Sequence, residues 1–274
     1  MITLIEARTL QGTLLSLPLG DISGGYSVQD VDGLDPVDAS IVSSDFAGTD
    51  GEQYQSSSVG KRNIILTLGL ETDYVTNTVR SLRKKLYNFF LPKKQVSLRF
   101  YDDEGLIVDI AGRIETCKSK LFTQEPQMEI SVLCFDPEFV NTTVSTVPGS
   151  TVNSTTSNLY QYDGDIQTGF TLTLNVNQTL TEFTVYNTGE DGIVRSLDIQ
   201  ASLVSGDVVT ISTVSGNKYV RRTRAGVTTS LLYGMTTQSE WVELYPGDNH
   251  FRVYITGATP MPYTIAYTEL YGGL

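Results

Sequence analysis

Apolar and polar residues alternate with a period of two along most of this chain, and one stretch breaks the rule. Ile64, Leu66, Leu68 and Leu70 alternate before it. Val96, Leu98 and Phe100, then Leu106, Val108 and Ile110, then Met128–Phe135 do so after it. This period belongs to strands that bury one face. In between, Val75, Val79, Leu82, Leu86 and Phe89 or Phe90 recur at three- and four-residue spacing, which predicts a helix over about 73–90. Thr72 or Asp73 is placed to cap its start, and Pro92 stops it. Residues 1–60 show no sustained period. Gly24-Gly25, Asp32-Gly33, Asp35-Pro36 and Asp50-Gly51 read there as turns within an irregular segment.

Residues 141–158 are nearly all small and polar, and the expected organisation is a first domain over 1–140, a linker over 141–158 and a second domain over 159–274. The second domain returns to period two at Phe170, Leu172, Leu174 and Val176, and again at Phe183 and Val185, Leu197 and Ile199, and Val209 and Ile211. Pro246-Gly247-Asp248-Asn249 reads as a turn joining strands at Trp241–Tyr245 and Phe251–Ile255. The predicted fold is mainly β with one helix: an N-terminal α+β domain followed by a C-terminal β-sandwich.

Charge adds a second layer to this pattern. The 274-residue chain carries a net −12, with charged residues at 18%. An acidic chain is a poor candidate for holding nucleic acid, which needs Lys and Arg on its phosphates. The charge is also unevenly spread. No base occurs between Thr9 and Gly60, where Asp32, Asp35, Asp38 and Asp45 stand among other acids, whereas Arg80, Arg83, Lys84 and Lys85 crowd the predicted helix. Two readings stay open for these segments. They are solvated faces, or complementary subunit-interface patches. In the second domain Arg222 and Arg224 share a face by alternation and offer a docking patch. Trp241 and Tyr245 are the candidate aromatic contacts for a partner or a glycan, with burial in the core as the alternative for Trp241.

Little in the sequence points to catalysis. No phosphate-binding Gly-rich loop, nucleophile elbow, zinc-protease helix or calcium loop is present, and the single His, His250, has no obvious partner. Two cysteines and one His do not make an ordinary four-ligand zinc site. Cys117 and Cys134 fall on neighbouring strands; free thiols are expected, with a disulfide as the alternative. No catalytic residue, cofactor or metal is expected, and neither is a signal peptide or membrane insertion. The expected product is a soluble chain made in the cytoplasm.

Two stretches carry a resemblance. The first is the order DGLDPVDASIV, KRNIILTLGL, VRSLRKKLYNFFLPKK, QVSLRFYDDEG and IVDIAGRIE. The second is GDVVTISTVSGNKYV followed by SEWVELYPGDNHFRVY. Together they resemble the distal tail proteins of long-tailed phages, the siphovirus tail component family. The resemblance implies a structural virion protein at the tail tip whose first domain forms a homohexameric ring. Such a ring joins the tail tube protein to the tail-associated fibre or lysin protein, and genomic DNA passes through it without specific binding. The resemblance also implies a galectin-like sandwich outside the ring to which receptor-binding proteins attach in some phages. The alternative is a baseplate or adhesin-like module that recognises host glycans. Trp241 and Glu243 precede His250 and Arg252 here, the reverse of the order of sugar-site residues in galectins.

Overall fold

In the computed structural model, which describes every residue except Ala47, Thr49, Tyr74, 121–124 and Ala258, the chain divides into two compact units. One comprises Met1–Thr142 with Tyr271–Leu274, the other Thr143–Leu270.

The first unit begins with strands where an irregular segment is expected. β1 (Ile2–Thr9) and β2 (Leu14–Pro18) form a hairpin that buries Ile5, Ala7, Leu15 and Leu17. β3 (Tyr26–Asp32), β4 (Ala39–Asp45) and β5 (Glu52–Val59) follow. β3 buries only Tyr26, and β4 and β5 bury nothing, so no sustained period shows in the sequence. β6 (Arg62–Leu70), α1 (Val79–Phe90), β7 (Gln95–Asp102), β8 (Ile107–Lys120), β9 (Gln127–Cys134) and β10 (Phe139–Asn141) complete the unit. The main sheet runs β2-β1-β7-β8-β9-β6-β3, antiparallel throughout, and its two end strands approach each other, so the sheet curls around one core.

The helix starts later than its apolar spacing suggests. The Asp73 carboxylate accepts backbone N–H bonds from Val75, Thr76 and Asn77 at 2.9, 2.8 and 2.7 Å. Such local bonds compete with helix formation and hold a turn instead. With the Thr76 hydroxyl, they lower the Asp73 pKa to about 2. Val75 is therefore outside the helix and 85% exposed. Thr78 is the true cap, paired reciprocally with Ser81. At the other end Pro92 forces Leu91 into extended backbone. α1 drives Leu82, Leu86, Phe89 and Phe90 into the core, each contributing roughly 1.5–3 kcal/mol of apolar burial.

The second unit is a β-sandwich. Its strands are β11 (Ser145–Ser150), β12 (Asn158–Tyr162), β13 (Phe170–Asn175), β14 (Leu180–Thr188), β15 (Val194–Leu203), β16 (Val208–Ser212), β17 (Tyr219–Arg224), β18 (Val227–Ser230), β19 (Gly247–Tyr254) and β20 (Pro262–Tyr267). One sheet is ordered β11-β20-β13-β16-β17-β18 and the other β12-β19-β14-β15. Phe170 of the first meets Phe251 of the second edge to face, with centroids 5.4 Å apart. The two inner faces form a single apolar cluster.

Two expectations are corrected here. Residues 145–150 and the start of β12 lie inside the expected linker, yet they are paired strands, and the boundary between units falls at Thr142/Thr143. β11 is an edge strand that leaves its polar side to solvent, so its composition reads as linker. Trp241–Tyr245 is not a strand either. It is an extended segment tied to Asn249, whose buried side-chain amide accepts from Tyr245 N–H at 2.9 Å and donates to Tyr245 C=O at 2.7 Å. Among the described residues the segment's backbone pairs only at Leu244, which exchanges bonds with Thr168, and Gly247–Asn249, read in the sequence as a turn, already belong to β19.

Candidate interaction surfaces

Four segments carry the residues that charge and aromatic content single out. The first is the ribbon β4–β5 with the loop before it. Ala39 pairs with Val59 and Ile41 with Ser57, and the two strands form a sheet of their own. None of the described ribbon residues is buried, and Ile41, at 66% exposed, is joined on the surface by Val42, Phe46, Tyr54 and Val59. An isolated two-stranded ribbon is marginal in water. Asp45 lies at its tip, and Asp32, Asp35 and Asp38 lead into it. All four are exposed, and none forms an ion pair among the described residues.

The second segment is the solvent side of α1. Arg80 and Lys84 are exposed and point to no acid of their own chain among the described residues. Arg83 and Lys85 are engaged with aromatic rings. Arg83 donates to the Tyr87 hydroxyl at 2.7 Å, and the Lys85 ammonium sits 5.5 Å from the Tyr26 ring centroid. Arg62, at the start of β6, is by contrast buried.

The third segment is the β17–β18 hairpin. Arg222 and Arg224 do share a face, since both reach the Ser202 carbonyl, at 3.3 and 3.4 Å. Arg224 is also held by a forked pair of 2.7 Å bonds to the Asp207 carboxylate, whose side chain is fully buried. That contact, with a bond from Val204 N–H, keeps Asp207 below its usual pKa despite burial.

The fourth is the segment of Trp241 and Tyr245. Trp241 packs against the sandwich core, with the Lys218 ammonium 5.9 Å from its ring centroid. The Arg195 guanidinium lies 4.2 Å from the ring centroid of Tyr245. Each aromatic thus has one ring face occupied by a cation of its own chain.

The groups with chemical potential do not converge. His250 meets the Ser157 hydroxyl at 3.5 Å, in a hollow lined by Thr155, Tyr186, Thr188, Val194 and Arg252, with no carboxylate in the lining. Among the described residues no cluster of three His, Cys, Asp or Glu is arranged for a metal. Cys117 and Cys134 are free, and burial pushes both thiols up to about 11. Among the described residues no helix is long and apolar enough to cross a membrane.

Comparison with known proteins agrees with this picture. Residues 21–108 match the phage tail protein RIFT-related domain, and residues 163–271 match the siphovirus-type tail component, C-terminal domain. Among solved structures the chain is similar to the SPP1 Dit (gp 19.1) protein, described as a paradigm of the hub adsorption apparatus in phages infecting Gram-positive bacteria. That likeness has a TM-score of 0.68 at 16% identity, over 97% of this chain and 98% of the other. A chain of the phage p2 baseplate in its activated conformation matches with a TM-score of 0.43 at 12% identity, over 96% and 97%. No curated protein sequence matches this chain.

Proposed function

We propose that this chain, a structural tail protein of the siphovirus tail component family, the distal tail proteins of long-tailed phages, works there as a hexameric hub. In this reading six first units close into a ring between the tail tube protein and the tail-associated fibre or lysin protein. The second units, galectin-like in character, face outward and are available to a receptor-binding protein. DNA passes through the ring unbound, a role suited to a chain of net charge −12. No catalytic step is part of the reading.

The observation that carries the ring is the pair of mismatched faces on the first unit. The β4–β5 ribbon is acidic, partly apolar and uncovered by the described residues of its own chain, while the outer side of α1 is basic and, among the described residues, without an acid partner. A closed ring requires two such different and complementary patches on each subunit. Asp32, Asp35, Asp38 and Asp45 are assigned to one face, and Arg80, Arg83, Lys84 and Lys85 to the other. The glycan-binding alternative has no comparable support, because Trp241 and Tyr245 each have a ring face taken by a cation of their own chain.

The reading is tested by light-scattering mass and negative-stain microscopy of the purified protein, alone and with its tail partners. Rings of six are expected. A strict monomer at high concentration that stays monomeric when partners are added refutes it.

A further inference from the structure

We propose that the open edge of β18 is a docking site for an extended, acidic segment of a partner polypeptide, which adds to the six-stranded sheet as a further strand. The proposal concerns the second unit and holds whether or not the first unit forms a ring.

The edges of the sandwich are treated unequally. β11, at one end of the six-stranded sheet, contains Pro148, which has no N–H to offer. β15, at the end of the other sheet, is covered by its own chain: Glu240 N–H donates to Ser196 C=O at 2.9 Å, and Met235 bridges Ile199. β18 has neither protection. Its residues Val227, Thr228, Thr229 and Ser230 include no proline and no charge, its register with β17 is unbroken by a bulge, and all four are exposed. Edge strands in monomers are normally blunted by such devices, and an open edge is a template for another strand.

The hairpin geometry says which groups are available. Ala225 and Gly226 form a two-residue turn, both at positive φ (48° and 82°), so the flanking pair Arg224–Val227 exchanges hydrogen bonds. Alternation makes Thr229 the next inward-bonded residue, and the bond from Leu231 N–H to Val220 C=O continues the same phase. The N–H and C=O groups of Thr228 and Ser230 therefore face away from β17, toward the open edge.

Side chains around the edge define what fits it. Val227 stands exposed at one end. Leu232 and Tyr233, in the 3-10 turn Leu232–Gly234 that follows, are exposed at the other, Tyr233 at 76%. A Tyr so placed is a natural contact anchor. On β17, Arg222 lies directly opposite Thr229 and reaches its hydroxyl at 3.3 Å, and Arg221 stacks on Tyr219 with 4.1 Å to the ring centroid. A second copy of this edge would bring the same arginines and be repelled. A strand bearing carboxylates is favoured.

The probe is an eight-residue peptide alternating valine and glutamate, with its valine–lysine counterpart as control, added to the full chain and followed by amide NMR and hydrogen exchange. The acidic peptide should slow exchange at Thr228 and Ser230 by about tenfold or more and bind about tenfold tighter than the basic one. Thr228→Pro removes only an outward donor, so it should abolish binding while preserving the circular dichroism spectrum. If that variant misfolds, Tyr233→Ala should weaken binding several-fold with the fold intact. Equal binding of both peptides, protection elsewhere, or no protection at Thr228 and Ser230 overturns the proposal. So does self-association that Thr228→Pro abolishes, since it would assign the edge to a second copy.

Discussion

The guanidinium of Arg62 donates to the Gly272 carbonyl at 2.5 Å, joining the start of β6 to the returning C-terminal residues of the first unit. Arg62 is only 2% exposed and also donates to the carbonyls of Pro137, Gly33 and Asp35 at 2.6, 2.7 and 2.6 Å. Its planar face lies 4.5 Å from the centroid of Phe139. Burial lowers its pKa, but among the described residues no carboxylate is bonded to it. Four carbonyl dipoles solvate the charge instead. One side chain thus fixes the acidic loop that begins at Gly33, the Pro137 turn and the C-terminal tail.

Removing that side chain should therefore act as a buried-network defect. Arg62→Met should destabilise the first unit by roughly 3 kcal/mol or more, since four carbonyls lose charge-assisted bonds at once. Arg62→Lys should recover less than half of this, because an ammonium cannot present the same planar fork. Urea denaturation monitored in the first unit checks both. A midpoint unchanged in Arg62→Met would show that water takes over the carbonyls at no cost.

Asp207 should make the second unit sensitive to acid. Its carboxylate pKa is depressed in the folded state, chiefly by the Arg224 hydrogen bonds. A depressed acid stabilises the fold above its unfolded pKa of about 4, and that contribution is lost as pH falls through the lower folded value. Asp207→Asn should lower stability at pH 7 by about 2 kcal/mol and lessen the further loss between pH 4 and pH 2. Urea titrations at the three pH values read this directly. Identical pH profiles in parent and variant would place the acid sensitivity elsewhere.

Ala225 is a strained residue in the β17–β18 turn. Its φ of 48° lies in the left-handed region, where a Cβ costs roughly 1–2 kcal/mol and Asn is tolerated better. Ala225→Asn should stabilise the second unit by about 1 kcal/mol, and Ala225→Val should destabilise it. Thermal unfolding should show opposite shifts of a few degrees for the two variants. Shifts of the same sign would mean that the turn is not held in this conformation in solution.

The legible parts of the fold are those that bury one face. Leu82, Leu86 and Phe89 mark the packed side of α1, and Ile64, Leu66 and Leu68 mark the inward side of β6. The illegible parts are those where another contact replaces apolar periodicity. Asp73 delays the helix by bonding local N–H groups, and the Asn249 side chain holds Tyr245 where no strand forms. The β4–β5 ribbon buries neither face, so no period betrays it. The burial of Arg62 did leave a signal. It occupies the same alternation phase as Ile64, Leu66 and Leu68, which places it inward. Of the basic residues assigned to the ring face, the structure leaves Arg80 and Lys84 without the aromatic contacts that engage Arg83 and Lys85.

Arg80 and Lys84 are therefore the sharpest test of the ring contact. They lie one helical turn apart on the exposed side of α1, and Arg80 is in the first turn. Replacing both with Glu leaves the buried stripe untouched, and Glu at position 80 suits the positive end of the helix dipole, so monomer stability should stay level or rise by a few tenths of a kcal/mol. If these bases face the acidic ribbon of a neighbouring copy, Arg80→Glu with Lys84→Glu places like charges across the contact. Assembly should then weaken by about tenfold or more, while the far-ultraviolet spectrum is unchanged. Parent rings should also loosen as salt rises from 0.05 to 1 M, because exposed pairs are screened over a Debye length of about 10 Å at 0.1 M. Size-exclusion chromatography with light scattering measures both effects. Rings that form equally well in the double variant and at high salt would reduce this face of α1 to a solvated surface and move the contact to the apolar residues of the ribbon, Ile41, Val42 and Tyr54.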